Sequence, residues 1–86
     1  MKIDEVCEKY SEESVGLSIR LLSSDMEGEE FVLISGSSKA LKFMSELLAA
    51  AAEDNVESGF QISPDGAGRF QLSEESNIGF YINRTS

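Results

Sequence analysis

In the stretch 15–22, apolar residues at 15, 17, 19 and 21 alternate with Gly16, Ser18 and Arg20. This period of two is typical of a β-strand that buries one face. A polar stretch rich in turn residues follows at 23–29, and the short apolar run 31–34 then ends at a Ser-Gly pair. The pattern predicts a β-hairpin with a roomy connection.

The period changes to three and four after the hairpin, which predicts an amphipathic helix. Either Ser37 or Ser38 can accept hydrogen bonds from the first free N–H groups, and Asp54-Asn55 can close the helix. The apolar positions that set the period are Leu41, Met44, Leu48 and Ala51, and they are flanked by Ala40, Phe43, Leu47 and Ala52. The alanines at 49–52 favour a helix and would let it lie close to a sheet.

Two further strands are predicted at 60–62 and 78–82, with 70–72 as an additional short strand. Residues 1–14 have few large apolar side chains and predict either a short helix or an arm. The 86 residues predict a single domain of α+β class, spanning 1–86. We expect an antiparallel sheet of four to five strands with one main helix on one face, in the order β-β-α-β-β.

A single helix would cover one face of that sheet and leave the other face open. The strand alternation places six side chains on the open face: Ser18, Arg20, Gln61, Gln71, Tyr81 and Asn83. A polar face with one tyrosine is a candidate partner-binding surface, since tyrosine is enriched at interfaces. The alternative is a solvated face, which antiparallel sheets commonly have.

The formal net charge is −9, and residues 1–30 hold nine acidic residues against three basic ones. Direct nucleic-acid binding is disfavoured because it needs clustered lysine and arginine. An acidic surface favours rapid capture of a basic partner. The four acidic residues that we expect to dock onto that partner are Asp25, Glu27, Glu29 and Glu30.

Catalysis is disfavoured because the chain has no histidine and a single cysteine, Cys7. The lack of histidine and the single cysteine also disfavour a zinc site, because zinc is usually bound by these two residue types. We therefore expect no enzyme activity, cofactor or metal. No apolar run approaches the length of a membrane span, and the start of the chain lacks the apolar segment of a signal peptide. Together with the lone cysteine, these features predict a cytoplasmic protein.

The stretch FVLISGSSKALKFMSELLAAAAED, followed by GFQISPDGAGRFQLSEESNIGFYINR, resembles small bacterial immunity proteins of polymorphic toxin systems. The nearest resemblance is to the immunity protein 32 family, and it covers about residues 30–84. The resemblance implies an α+β protein that neutralises a cognate toxin, often a nuclease, in contact-dependent competition. It supplies no site residues. The expected partner-binding set therefore comes from charge and strand phase: Arg20, Asp25, Glu27, Glu29, Glu30, Gln61, Tyr81 and Asn83.

Two other function classes remain open from the residues alone. A small regulatory domain could bind an anionic ligand at the Ser35-Gly36-Ser37-Ser38 start of the helix. A self-associating module could pair exposed sheet edges, which would make the protein a weak homodimer instead of a monomer.

Overall fold

The helices and strands follow one another in the order helix, strand, strand, helix, strand, strand. The computed structural model describes residues 2–23, 30–53 and 59–85. Its elements are α1 (Ile3–Lys9), β1 (Ser18–Ser23), β2 (Glu30–Ser35), α2 (Ser38–Glu53), β3 (Gly59–Ile62) and β4 (Phe80–Asn83), with a 3₁₀ helix at Arg69–Gln71. The predicted α+β class is confirmed.

The strands of the described ranges form two separate antiparallel sheets, each of two strands. In the first, β1 pairs with β2 from Ser18 opposite Ser35 to Ser23 opposite Glu30. In the second, β3 pairs with β4 from Gly59 opposite Asn83 to Ile62 opposite Phe80. The expectation of one sheet of four to five strands is therefore wrong.

The second sheet does not join the first at β1, because the outer edge of β1 is occupied by another segment of the chain. Residues 71–77 run along that edge and make one parallel bridge, between Leu72 and Leu17. Beyond the bridge, side chains replace a strand's backbone: Ser76 Oγ accepts from the Ile19 N–H, and Asn77 Oδ1 accepts from the Leu21 N–H. Serine and asparagine side chains commonly compete with backbone pairing in this way. The edge is occupied, so a third strand cannot pair there.

The predicted short strand at 70–72 is also replaced by another structure. Gly68 has φ +75°, in the left-handed region that glycine adopts easily, and it starts the 3₁₀ helix Arg69–Gln71. This tight turn puts Gln71 in the protein interior, where its side chain is buried. The placement of Gln71 on an open sheet face is therefore wrong.

Helix α2 begins as predicted and buries part of the predicted stripe, Met44 and Ala51, together with apolar residues that flank it. The Ala40 N–H donates to Ser37 Oγ at 3.2 Å, which confirms a serine cap. The residues that α2 buries are Ala40, Phe43, Met44, Leu47, Ala50 and Ala51. Leu41 and Leu48, which belong to the same periodic set, are exposed. Small alanines on the buried side allow close packing, and the leucines occur on both sides of the helix.

The core lies between the two helices and the bases of the two hairpins. Its contacts include the edge-to-face pair of Tyr10 and Phe43, whose ring centroids are 5.0 Å apart. The fully buried large side chains are Val6, Leu17, Ile19, Phe43, Leu47 and Ile62. These residues come from α1, α2, β1, β3 and the segment just before β1.

Candidate protein-interaction surfaces

The β1–β2 hairpin carries the largest group of exposed apolar side chains on neighbouring strands in the described ranges. We call this group the hairpin surface: Leu21, Leu22, Phe31, Val32, Leu33 and Ile34. Phe31 is 57% exposed and Val32 is 56% exposed, although both are large apolar residues within a strand. Soluble monomers rarely expose contiguous apolar patches of more than a few hundred Å², and larger patches commonly mark interaction sites.

The apolar side chains occupy both faces of the hairpin. Residues directly opposite each other in an antiparallel pair share a face, so Leu22, Phe31 and Leu33 lie on one face. We call it the Phe31 face. Leu21, Val32 and Ile34 lie on the other, the Val32 face, together with Ile19 at its base.

Ile19 anchors the hairpin to the rest of the molecule. It is only 1% exposed and belongs to the core cluster. Every side chain of β2 is exposed, so β2 contributes no residue to the buried core. A two-stranded hairpin without a covered face is marginally stable alone, and here the attachment of β1 to residues 71–77 holds it in place.

The second hairpin has one buried face and one exposed face. Phe60 and Ile62 pair with Ile82 and Phe80, and these four side chains face the core. On the opposite face, Gln61 lies directly across from Tyr81, and Asn83 lies across from Gly59. Gln61, Tyr81 and Asn83 are all exposed, as expected from the strand alternation. We call these three residues the polar sheet face.

The expected partner-binding residues that the structure describes do not form one surface. Gln61, Tyr81 and Asn83 lie on the β3–β4 sheet, whereas Arg20 lies on the Phe31 face of the other hairpin, opposite Leu33. Glu30 is exposed at the first position of β2. Asp25, Glu27 and Glu29 lie outside the described residues.

The exposure of residues 31–34 was missed at the level of sequence, although their pattern contained a signal. Four consecutive apolar residues do not alternate, and such a run is typical of a strand covered on both faces. The chain itself covers neither face of β2 in the described ranges. The run is therefore the sequence feature from which the exposed apolar surface could have been found.

The start of α2 has the structure of an ordinary helix cap. Ser37 accepts from Ala40 through its Oγ and from Leu41 through its carbonyl oxygen. The Ser37 hydroxyl therefore already partners one of the N–H groups that an anion would use. Lys39 extends away toward Glu13, at 3.7 Å.

An ion pair of two titratable side chains joins the two helices. Lys9 Nζ lies 2.7 Å from Glu46 Oε1 and joins α1 to α2. This hydrogen bond lowers the pKa of the Glu46 carboxyl, as the Tyr10 hydroxyl does to a lesser degree, and it raises the pKa of Lys9. Burial, and to a lesser degree Asp4, raises the pKa of the Cys7 thiol, which disfavours its nucleophilic thiolate form.

The described parts of the chain contain no cluster of three or more acidic, cysteine or histidine side chains suited to a metal ion. Neither described helix has the length and apolar character needed to cross a membrane. No protein-family model, curated protein or solved structure matches the chain.

Proposed function

We propose that this protein is a non-catalytic immunity protein that binds a basic toxin domain in the cytoplasm and neutralises it. The observation that carries the proposal is the hairpin surface, where both faces of one hairpin expose large apolar side chains. Apolar side chains grouped in this way are typical of a surface that a protein partner covers.

Charge supports the choice of a basic partner. The net charge of −9 gives the protein a negative field, which speeds the encounter with a positively charged protein and repels acidic ones. Toxin domains that act on nucleic acids are basic because they must hold phosphate groups. The resemblance to bacterial immunity proteins points to the same class of partner.

The hairpin surface supplies both kinds of contact. Phe31 and Leu33 provide apolar area on the Phe31 face, and Glu30, the residue before Phe31, lies at the end of the same strand on the Val32 face. Aromatic residues at the centre of an interface commonly contribute most of the binding energy, while charges at the rim set the rate of association. We therefore expect Phe31 to dominate affinity and Glu30 to affect the association rate.

Co-expression with the candidate toxin tests the proposal. The C-terminal domain of the protein encoded beside this one would be expressed alone, with the wild-type chain, and with a Phe31→Ser variant. We expect the wild-type chain to restore growth and the variant to lose at least tenfold in affinity, which corresponds to about 1.4 kcal/mol.

Phe70→Ser is the matched control, because Phe70 is 55% exposed and lies outside the hairpin. It should restore growth as well as the wild-type chain does. Persistent toxicity with the wild-type chain would refute the neutralising function. Equal rescue by Phe31→Ser would instead remove the hairpin surface from the mechanism.

A further inference from the structure

The outer edge of β2 has the features of a pairing strand. In the β1–β2 sheet, Leu17, Ile19 and Leu21 direct their N–H groups away from β2, toward residues 71–77. Ser18, Arg20 and Leu22 therefore face β2 and bond to Ser35, Leu33 and Phe31, their partners in the register. By the same alternation, the backbone groups of Val32 and Ile34 point outward, where no described residue hydrogen-bonds to them.

Apart from Glu30 at its first position, the edge has, within the described residues, none of the devices that usually prevent strands of different molecules from pairing. Residues 31–38 contain no charged residue and no proline, and β2 pairs with β1 without a bulge. Natural monomers commonly block their edges with lysine, proline or a bulge. An open, apolar edge of this kind is a template for another strand.

We propose that a second copy of this chain pairs with β2 along this edge, antiparallel and related by a twofold axis. The two hairpins then form one four-stranded sheet, in the order β1, β2, β2 and β1. An antiparallel strand is complementary to itself, which is the property that a twofold interface requires. This dimer is independent of the proposed toxin binding, since it uses the edge of the hairpin and leaves both of its faces open.

The charges near the edge fit pairing between two copies. If the twofold axis passes through Val32, the single charged residue of the strand, Glu30, lies opposite Ile34 of the partner subunit. The two Glu30 side chains are then four residues apart along the seam, about 13 Å. That exceeds the Debye length of about 8 Å at physiological ionic strength, so their repulsion is largely screened.

The size of the seam predicts a weak dimer. Six residues of strand offer an edge about 20 Å long. One strand pair covers less than the roughly 800 Å² that each partner contributes to a standard interface. The net charge of −9 on each copy also opposes association. We therefore expect dissociation in the micromolar range, with a dimer that strengthens as salt is added.

Sedimentation equilibrium across the micromolar range tests the proposal. The wild-type mass should rise with concentration from 9.4 kDa toward twice that value. Val32→Pro removes an outward N–H without removing a bond to β1, so it should stay monomeric. Val32→Thr keeps both the N–H and the β-branched shape and should dimerise like the wild type.

A second variant and a second measurement cover the case in which the proline variant misfolds. Val32→Lys retains the N–H group but places two lysines face to face at the seam, and it should also be monomeric. Hydrogen exchange at the Val32 and Ile34 amides should slow as the wild-type concentration rises. A wild-type chain that stays monomeric throughout, or a dimer whose Val32 and Ile34 amides gain no protection, would overturn the proposal.

Discussion

The side-chain amide of Gln71 donates a hydrogen bond to the backbone carbonyl of Tyr10, 61 positions earlier in the chain. Its Oε1 accepts from the Val15 N–H at 2.8 Å, and its own backbone carbonyl accepts from Leu17. One residue therefore joins the end of α1, the approach to β1 and the 3₁₀ helix. Gln71 is the one buried polar residue of the described core.

Gln71→Leu should destabilise the protein strongly, because it leaves the buried Val15 N–H without a partner. An unsatisfied buried group costs about 1–3 kcal/mol, and the lost bond to Tyr10 adds to this. Thermal unfolding would measure the change. Gln61→Leu is the matched control, since Gln61 is exposed on the polar sheet face, and its effect should be within about 0.5 kcal/mol. Equal stability of the two variants would contradict the role of Gln71.

Gly79→Ala should destabilise the second hairpin. A methyl group at position 79 would collide with the Ile62 carbonyl oxygen and lie 2.8 Å from the Ser63 Cα, and neither backbone atom can move aside cheaply. Forcing a group into packed structure costs about 1–3 kcal/mol. Gly66→Ala is the control, because its methyl group would meet nothing closer than 3.9 Å. Chemical denaturation should show a lower midpoint, and so a lower stability, for Gly79→Ala only. A similar midpoint for both variants would disprove this close contact.

Ser37→Ala should lower the free energy of unfolding by about 1 kcal/mol, because the Ala40 N–H loses its side-chain acceptor. Ser38→Ala, one residue later, provides the comparison. Ser38 is the first residue of α2, where alanine is well tolerated. Urea unfolding, monitored by circular dichroism, would compare the stabilities of the two variants. If Ser38→Ala were the more damaging change, the cap would have to be reassigned to Ser38.

The pairing of Lys9 with Glu46 predicts a defined dependence of stability on pH. The folded pKa of Glu46 lies below its usual value of 4.5, so its contribution is present above pH 4.5 and is lost as the pH falls through the folded value. The folded pKa of Lys9 lies above 10.5, so its contribution is present below pH 10.5 and is lost as the pH rises through the folded value. Between these limits the contribution is constant.

Comparison of Tm for the wild type and Glu46→Gln measures this contribution. We expect a small difference at pH 7, because both side chains are partly solvated, and a smaller one at pH 3. Glu8→Gln, at an exposed position of α1, should show no such pH-dependent difference. If the difference in Tm between the wild type and Glu46→Gln were as large at pH 3 as at pH 7, the ion pair would not be the cause of that difference.

The positions of the helices and strands were predicted from the sequence more accurately than the contacts that they make with one another. The period of three and four placed α2 correctly, but it could not assign its buried side because leucines and alanines occur around much of the helix. Leu41 and Leu48 fit the period as well as Leu47 does, and only packing against α1 and β4 decides between them. Periodicity fixes the spacing of a stripe, not the neighbour that it meets.

The arrangement of the sheets depends on side-chain hydrogen bonds that leave no periodic pattern in the sequence, so it could not be predicted. Residues 73–77 read as a polar connection, and they are one, yet Ser76 and Asn77 also complete the hydrogen bonds of β1. Likewise, the polar sheet face followed directly from strand alternation at Gln61 and Tyr81. The exposure of Phe31 did not follow from the alternation, because it depends on the fact that no other described element covers β2.

The closed edge of β1 limits what the open edge of β2 can do. Exposed apolar strands are the usual starting points of amyloid, because each added strand presents a new edge to the next molecule. Here a strand added at β2 brings its own hairpin, whose far side is already occupied by Leu72, Ser76 and Asn77. The sheet therefore stops growing after one hairpin has been added. The side chains of Ser76 and Asn77 in this way protect an apolar sequence from forming fibrils.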